Sequence, residues 1–251
     1  MTTMAQFLRG RTVQVSEHER GLLEGAVSAV RRMPARATLV ERGKRLRQST
    51  MLVAGYMIRF IDDDEGARQV VAFQVPGDFV DLHGYPLLAL DHAIGTVTQV
   101  QIGIVPHSAI DRLIHEDADL GRKLWFATLL DAAMHREWLF RLGRLDAPGR
   151  VAHFFAETET RLKAVGIGDE RRFPLPVTQT DLADILGLTP IHVNRVLRAL
   201  REEKICTFRS GIVQIHDWDR LIRRSQFDPA YLYLRSDQDL AHSIMEEQDT
   251  A

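Results

Sequence analysis

The residues whose types and spacing carry the clearest chemistry lie between Val177 and Trp218. Thr178 precedes a short helical run, Gln179 to Leu186. Gly187-Leu188-Thr189 follows, then a second run from Pro190 to Leu200. Two helices that cross at a tight turn need definite residue types at fixed offsets. A small residue must stand where the first helix passes the second, and Ala183 is there. Four residues on, the turn needs a positive φ that glycine adopts at least cost, and Gly187 supplies it. Six further on, a β-branched apolar side chain must press against the first helix, and that residue is Val193. Leu182, Ile185, Leu186, Val196, Leu197 and Leu200 fill the remaining core. Thr189 can cap the second helix, and Pro190 suits its first turn. The pattern is that of a helix-turn-helix, which lays its second helix in the major groove of double-stranded DNA. An ordinary helical hairpin is the competing reading.

The outward side of that second helix offers base-reading groups. Arg195 can donate two hydrogen bonds to O6 and N7 of a guanine. His192 and Asn194 are polar residues in the reading half, and Ile191 can touch a thymine methyl. Thr178, Gln179, Thr189 and Arg198 suit phosphate contacts that fix register, as does Arg209. Lys204 to Arg209 and Ile212 to His216 are strand-like runs around Ser210-Gly211. They predict a β-hairpin wing, with Arg195, Arg198, Arg201, Lys204 and Arg209 clustered on helix and wing. Cys206 sits at their junction, either as a packed thiol or as a redox brake on DNA binding.

A reading head of this kind has to be positioned by the rest of the chain. The 251 residues are enough for two domains, and 45% hydrophobic against 26% charged residues excludes a mainly disordered chain. A net charge of −2 excludes a uniformly basic, histone-like protein. The balance is uneven: residues 147–225 carry about +3 and residues 226–251 about −5. The single cysteine excludes an intramolecular disulfide, a cysteine-based zinc site and a cysteine-ligated iron–sulfur cluster within one chain. It fits a reducing, cytoplasmic setting. No stretch approaches the ~20 apolar residues of a membrane span, and no targeting signal is legible.

Ser16 to Met33 reads as a helix, capped by Ser16 and ended by Pro34. Short apolar runs follow: Thr38-Val40, Ser49-Ala54, Met57-Ile61, Val70-Gln74, Asp78-Asp81 and Thr96-Val105. Turn residues separate them, which predicts an antiparallel barrel or roll. The acidic run Asp62 to Gly66 reads as a hairpin tip. From Asp117 to Gly143 the period is helical. Leu120, Leu124, Ala127, Leu130, Met134 and Trp138 form an a/d-type seam, expected to face a second subunit. A second stripe runs through Phe126, Leu129, Ala133 and Phe140, so the helix has two partners. Ala147-Pro148-Gly149 reads as a breaker at a domain boundary, Val151 to Val165 as a helix, and Gly166 to Pro176 as a loop. The fold class is therefore α+β. Residues 1–116 form the roll with its N-terminal helix, 117–145 a dimerisation helix, 146–225 a winged helix-turn-helix, and 226–251 an acidic tail.

A β-roll, a long helix and a winged helix-turn-helix together resemble the Crp/Fnr superfamily of bacterial transcription regulators. The resemblance is carried by Leu182 to Thr189, by His192-Val193-Asn194-Arg195-Val196-Leu197, by Val75-Pro76-Gly77-Asp78-Phe79, and by the ending Phe227 to Leu232. It implies a cyclic-nucleotide-binding-like roll with an effector site facing the long helix. It implies a homodimer joined through that helix, two recognition helices in successive major grooves of a palindrome, and RNA polymerase as a partner if the protein is an activator. Members that bind cyclic nucleotides carry a Gly-Glu pair and an Arg-Ser or Arg-Thr pair. The matching cassette here, Gly77 to Val100, has Asp78 or Asp81 and then Asp91-His92-Ala93, so cyclic AMP is not expected. Asp78, Asp81, His83 and His92 are the candidate pocket residues. A haem would draw on His83, His92, His107 or His115, and no spacing demands a metal. Where the best-known subgroups carry a base-reading glutamate this chain has Ile191, so its half-site should differ. The expected function is a homodimeric, sequence-specific regulator. The alternative is a ligand-binding or protein-interaction module whose helix-turn-helix no longer reads DNA. An enzyme is not expected, because nucleophile-elbow, metalloprotease, phosphate-loop and dinucleotide motifs are missing.

Overall fold

The computed structural model of the chain describes residues 11–169 and 171–235. The chain enters through helix α1 (Glu17–Gly25), whose start is a capping box. The Ser16 side chain accepts from the Glu19 N–H, and the Glu19 carboxylate accepts from the Ser16 N–H at 2.7 Å. The helix stops at Gly25, short of the expected Met33. Ala29–Met33 is instead strand β1, paired antiparallel with Val100–Pro106 (β7). The apolar spacing Leu22, Ala26, Val30 continues past the helix end only by coincidence, because Val30 is exposed. β1 is a sheet edge, and its exposed Arg31 and Arg32 discourage pairing with another chain.

Two sheets make the roll. One has the order β1-β7-β3, with β3 at Gln48–Ala54. The other is formed by β2 (Thr38–Val40), β6 (Ala93–Thr96), β4 (Met57–Asp62) and β5 (Arg68–Gln74), in the order β2-β6-β4-β5. The run Thr96 to Val105 is not one strand. It leaves one sheet at Thr96 and enters the other at Val100, turning a corner beside Gly55. There glycine is required: φ is +86°, and a Cβ would lie 2.4 Å from the Gln99 carbonyl oxygen. The expected strand Asp78 to Asp81 is reduced to an isolated Met51–Phe79 bridge against β3, flanked by the Leu52 N–H donating to the Asp78 carbonyl at 2.8 Å and the Val80 N–H donating to the Thr50 carbonyl at 2.9 Å. Its two carboxylates fold back onto the Val75 and Thr50 N–H groups, which holds the segment as a structured loop. The acidic tip between β4 and β5 forms as expected: Gly66 has φ +80°, and Asp63 accepts from the Glu65 and Ala67 N–H groups.

After a short helix α2 (Gly84–Leu87), α3 (His107–Glu116) leads into the long helix α4 (Ala118–Arg144), capped by Asp117 at 3.0 Å from the Leu120 nitrogen. The break comes at Leu145-Asp146. Ala147-Pro148-Gly149 is the first turn of α5 (Ala147–Ala164), where proline is tolerated because its missing N–H would have no helical partner. The expected loop up to Pro176 contains a strand, β8 (Arg172–Pro174). The C-terminal domain continues with α6 (Gln179–Leu186), α7 (Pro190–Glu202), β9 (Cys206–Arg209), β10 (Ile212–Ile215) and α8 (Trp218–Ser225). Its sheet has the order β8-β10-β9.

Roll and C-terminal domain share a hydrophobic cluster. Ile58, Phe60 and Phe73 of the roll pack with Phe154 and Phe155 of α5 and with the core of α6 and α7. The Phe73 and Phe154 rings meet edge to face at 5.2 Å. Residues beyond α8 do not begin a free tail: Phe227 and Leu232 are buried, and the Thr12 N–H donates to the Tyr233 carbonyl at 2.9 Å. The remainder of the expected acidic tail, 236–251, lies outside the described residues. No helix among the described residues is long and apolar enough to cross a membrane.

Candidate nucleic-acid interface

The helix-turn-helix is built as its residue types require. Thr178 and Asp181 form a capping box at the start of α6. Gly187 adopts φ +61°, and its surroundings leave room for a Cβ, so conformation and not space demands glycine there. Thr189 caps α7 by accepting from the His192 N–H. Ala183 and Val193 are buried where the helices cross, with Leu182, Ile185, Leu186, Val196 and Leu200 around them. The wing turn Ser210-Gly211 has positive φ at both positions, the geometry of a tight two-residue hairpin.

The base-reading candidates share one surface of α7. Ile191, Asn194 and Arg195 are exposed and His192 is half-buried. Ile191 is 84% exposed, so this apolar side chain is held toward solvent and not toward the core. Asn194 donates to the Gln179 side chain at 3.2 Å, which ties the first helix to the reading helix. Of the phosphate candidates, Gln179, Thr189, Arg198 and Arg209 are all exposed. The Thr178 hydroxyl and N–H both already donate to Asp181, at 2.8 Å and 2.6 Å, so Thr178 is committed to the helix cap and has no donor left over for a phosphate in this arrangement. Arg198 is paired with Glu202 at 2.8 Å, an exposed pair that a phosphate can outcompete.

The long helix corrects one expectation. Leu120 and Leu124 are buried against α1 and α3, Leu130 is buried at the roll, and Trp138 is buried on α5 with its ring N–H directed at Glu157. Ala127 and Met134 are partly buried on the same side. That seam is therefore packed mainly within the chain, against α1, α3, α5 and the roll, and is not the face that α4 leaves open. The exposed side carries another seam at alternating steps of three and four: Arg122, Trp125, Leu129, Ala132, Arg136, Leu139 and Gly143. Trp125, Leu129 and Leu139 are 65%, 54% and 72% exposed, an apolar line on an otherwise solvated face.

The pocket candidates do not enclose a small-molecule site: Asp78 and His83 line one small cavity, with His92 behind His83 and Asp81 turned to β3. A cavity of about 30 Å³ lies between roll and α4, lined by Arg59, Asp78, His83, Thr128, Asp131 and Met134 among others. That is room for one or two waters, against ~300 Å³ for a small-molecule site. Asp78 lines it, but its carboxylate accepts from Arg161 of α5 and from the Val75 N–H. His83 lines it as a neutral ring, because burial holds its pKa down at about 3. Asp81 is buried beneath β3 and its pKa is pushed up to about 7 by burial. His92 stacks near His83, with ring centroids 5.3 Å apart, and its Nδ1 is 2.8 Å from Asp91. Burial lowers its pKa. His107 packs on the Tyr85 ring and His115 bonds the Asp111 carbonyl, so the four haem candidates do not surround one space. Among the described residues no group of histidine, cysteine and carboxylate ligands is placed to hold a metal ion.

Cys206 is buried, and burial raises its thiol pKa to about 12. A neutral, covered thiol reacts poorly, so the redox brake has no chemical footing here. Two groups escaped the sequence reading: Arg59, buried in the middle of β4, and Asp131 on α4, 2.6 Å from it. Their signal was a lone arginine inside the apolar run Met57 to Ile61.

The family model described as a Crp-like helix-turn-helix domain matches residues 149–224. The nitrogen fixation regulation protein FixK of Bradyrhizobium diazoefficiens is 35% identical over 151 residues, covering 59% of this chain and 62% of that protein. The transcriptional activator protein FnrL of Cereibacter sphaeroides is 29% identical over 171 residues, covering 66% and 67%. The match thus spans less than two thirds of FixK's length. The solved structure of FixK2 from Bradyrhizobium japonicum superposes with a TM-score of 0.73 at 23% identity, covering 80% of this chain and 98% of that one.

Proposed function

We propose that this chain is a regulator of the Crp/Fnr type and works as a homodimeric, sequence-specific DNA-binding protein, a reading supported by the Crp-like helix-turn-helix match over residues 149–224 and by the likeness to FixK and FnrL. The observation that carries this reading is the outward face of α7: Ile191, Asn194 and Arg195 are exposed and aimed away from the body, with the cations of helix and wing beside them. In this reading Arg195 contacts a guanine, Ile191 a thymine methyl, and His192 and Asn194 flank them. Gln179, Thr189, Arg198 and Arg209 hold the phosphates on either side.

Dimerisation uses the exposed seam of α4, which pairs with the same seam of a second copy. Two reading helices then reach half-sites about 34 Å apart, one turn of the duplex. The binding target places the protein in the compartment that holds the chromosome. The roll is not read as a cyclic-nucleotide receptor. That reading rests on the size of its cavity and on Asp91-His92-Ala93 at the cassette position where an Arg-Ser or Arg-Thr pair is needed.

The test is selection from a random palindrome library, followed by anisotropy titration of the selected site. Arg195→Ala is expected to weaken binding by about 1–3 kcal/mol and to relax preference at one base pair of each half-site. Enrichment of no sequence would favour the alternative, an interaction module whose helix-turn-helix has lost DNA reading.

A further inference from the structure

The segment Met57 to Phe60 is buried at every position, although β4 has a two-residue period. Alternation resolves this. Met57 faces the roll interior with Leu52, Val80 and Ile94, while Ile58 and Phe60 face the cluster shared with α5. Arg59 shares the face of Met57, so a guanidinium points into the roll. The β4–β5 register slips between Arg59 and Phe60, an irregularity of the kind that re-aims a side chain.

All three nitrogens of that guanidinium are engaged. Nε donates to the Val80 carbonyl at 2.7 Å, Nη2 to the Phe79 carbonyl at 3.3 Å, and Nη1 to the Asp131 carboxylate at 2.6 Å. Arg59 is 1% exposed and lines the small cavity between roll and α4. On the other side Asp131 has His83 at 3.8 Å and His135 at 3.9 Å. Burial alone would raise the Asp131 carboxyl, but Arg59, then His135, outweigh it and hold it below its ordinary range. One side chain thus ties a strand of the roll, the segment after Gly77 and the long helix into a single joint.

We infer that Arg59 is the roll's resident ligand. A guanidinium supplied by the chain itself occupies the place between roll and α4, and it holds α4 in one arrangement without a diffusible effector. The inference rests on the proposed regulator reading. The remaining space of about 30 Å³ cannot admit an effector while Arg59 is in place.

The experiment uses the full chain and has a readout independent of DNA, the hydrogen exchange of α4 amides 126–135. Arg59→Ala is expected to speed that exchange by about tenfold or more while the protein stays folded. Guanidinium at about 20 mM, far below denaturing concentrations, is expected to slow it again, and equal sodium chloride is not. Operator affinity should fall and recover in parallel. Unchanged exchange in Arg59→Ala overturns the inference, and so does a loosening that guanidinium fails to reverse. If Arg59→Ala does not fold, Asp131→Asn keeps the volume and removes the charge. It should loosen the same amides, and wild-type exchange there would again overturn the inference. Wild-type protein unfolded in urea, desalted and refolded should regain full protection of 126–135, and loss of protection on desalting would point to a diffusible effector instead. Should no operator be found, the regulator reading fails while the exchange result still decides the role of Arg59.

Discussion

At the scale of single residues, burial decides which groups can do chemistry. Asp81 accepts a hydrogen bond from the Thr50 N–H, yet burial pushes its pKa up to about 7. The unfolded chain ionises this group near its ordinary value of 3.8, so between there and about 7 the folded state holds the extra proton. Stability therefore falls as pH rises through that window. Asp81→Asn keeps an acceptor for Thr50 and removes the titration. It should melt above wild type at pH 8, with the difference vanishing by about pH 4, as thermal unfolding across pH would show. Cys206 makes a second case. Its buried thiol, with a pKa near 12, should be silent to a disulfide reagent in the native protein and react at once in denaturant. Native reactivity would restore the redox reading. The reading-helix residues were legible from sequence because a helix-turn-helix constrains residue type at each offset. Arg59 was not, because its meaning depends on Asp131, which lies 72 positions away.

At the scale of elements, period was legible and phase was not. Helical spacing located α4 to within a residue at each end, but the helix is apolar on more than one side. Leu120, Leu124 and Trp138 outrank Trp125, Leu129 and Leu139 only once α1, α3 and α5 are in place to cover them. The same limit made β1 read as the end of a helix: its Val30 fits a helical step, and its pairing with β7 lies across more than sixty intervening residues. In a parallel pairing through the exposed seam, Arg136 would meet Arg136 of the second copy. The flanking positions are Thr128, His135 and Leu142 on one side and Phe126, Ala133 and Phe140 on the other, with no carboxylate among them. Like charges facing each other in a helix seam weaken association. Leu129→Asp should convert the dimer to monomer in sedimentation equilibrium, whereas Arg136→Leu should tighten it. Leu130→Asp should unfold the protein instead, because that neighbour is buried within the chain. Identical behaviour of Leu129→Asp and wild type would remove α4 as the joint.

At the scale of the whole molecule, the two domains are one packed body in this arrangement. Their shared cluster joins Ile58, Phe60 and Phe73 to Phe154 and Phe155, and polar contacts close around it. Tyr56 donates to the Pro174 carbonyl at 2.5 Å, Arg36 holds Asp181 at 2.7 Å, and Arg161 reaches both Asp78 and the Phe73 carbonyl. Glu157 is buried between Arg161 and the Tyr231 hydroxyl, so the returning C-terminal segment is wired into the same network. None of this was legible in sequence, where domain boundaries marked only a change of pattern. Asp78 was assigned to a ligand, whereas its partner is an arginine of the other domain. The packing has a measurable consequence. Phe73 lies on the roll but contacts α5, so Phe73→Ala removes a ring from both domains at a cost of about 3–5 kcal/mol. If the domains unfold together, hydrogen exchange should accelerate in α5, α6 and α7 as much as in β4 and β5. Acceleration confined to the roll would show that the domains are energetically separate despite their contact. Cooperative loosening would mean that whatever stabilises the joint at Arg59 also stabilises the position of the reading helix, through the strand Met57 to Phe60, whose other face carries Ile58 and Phe60 into the shared core.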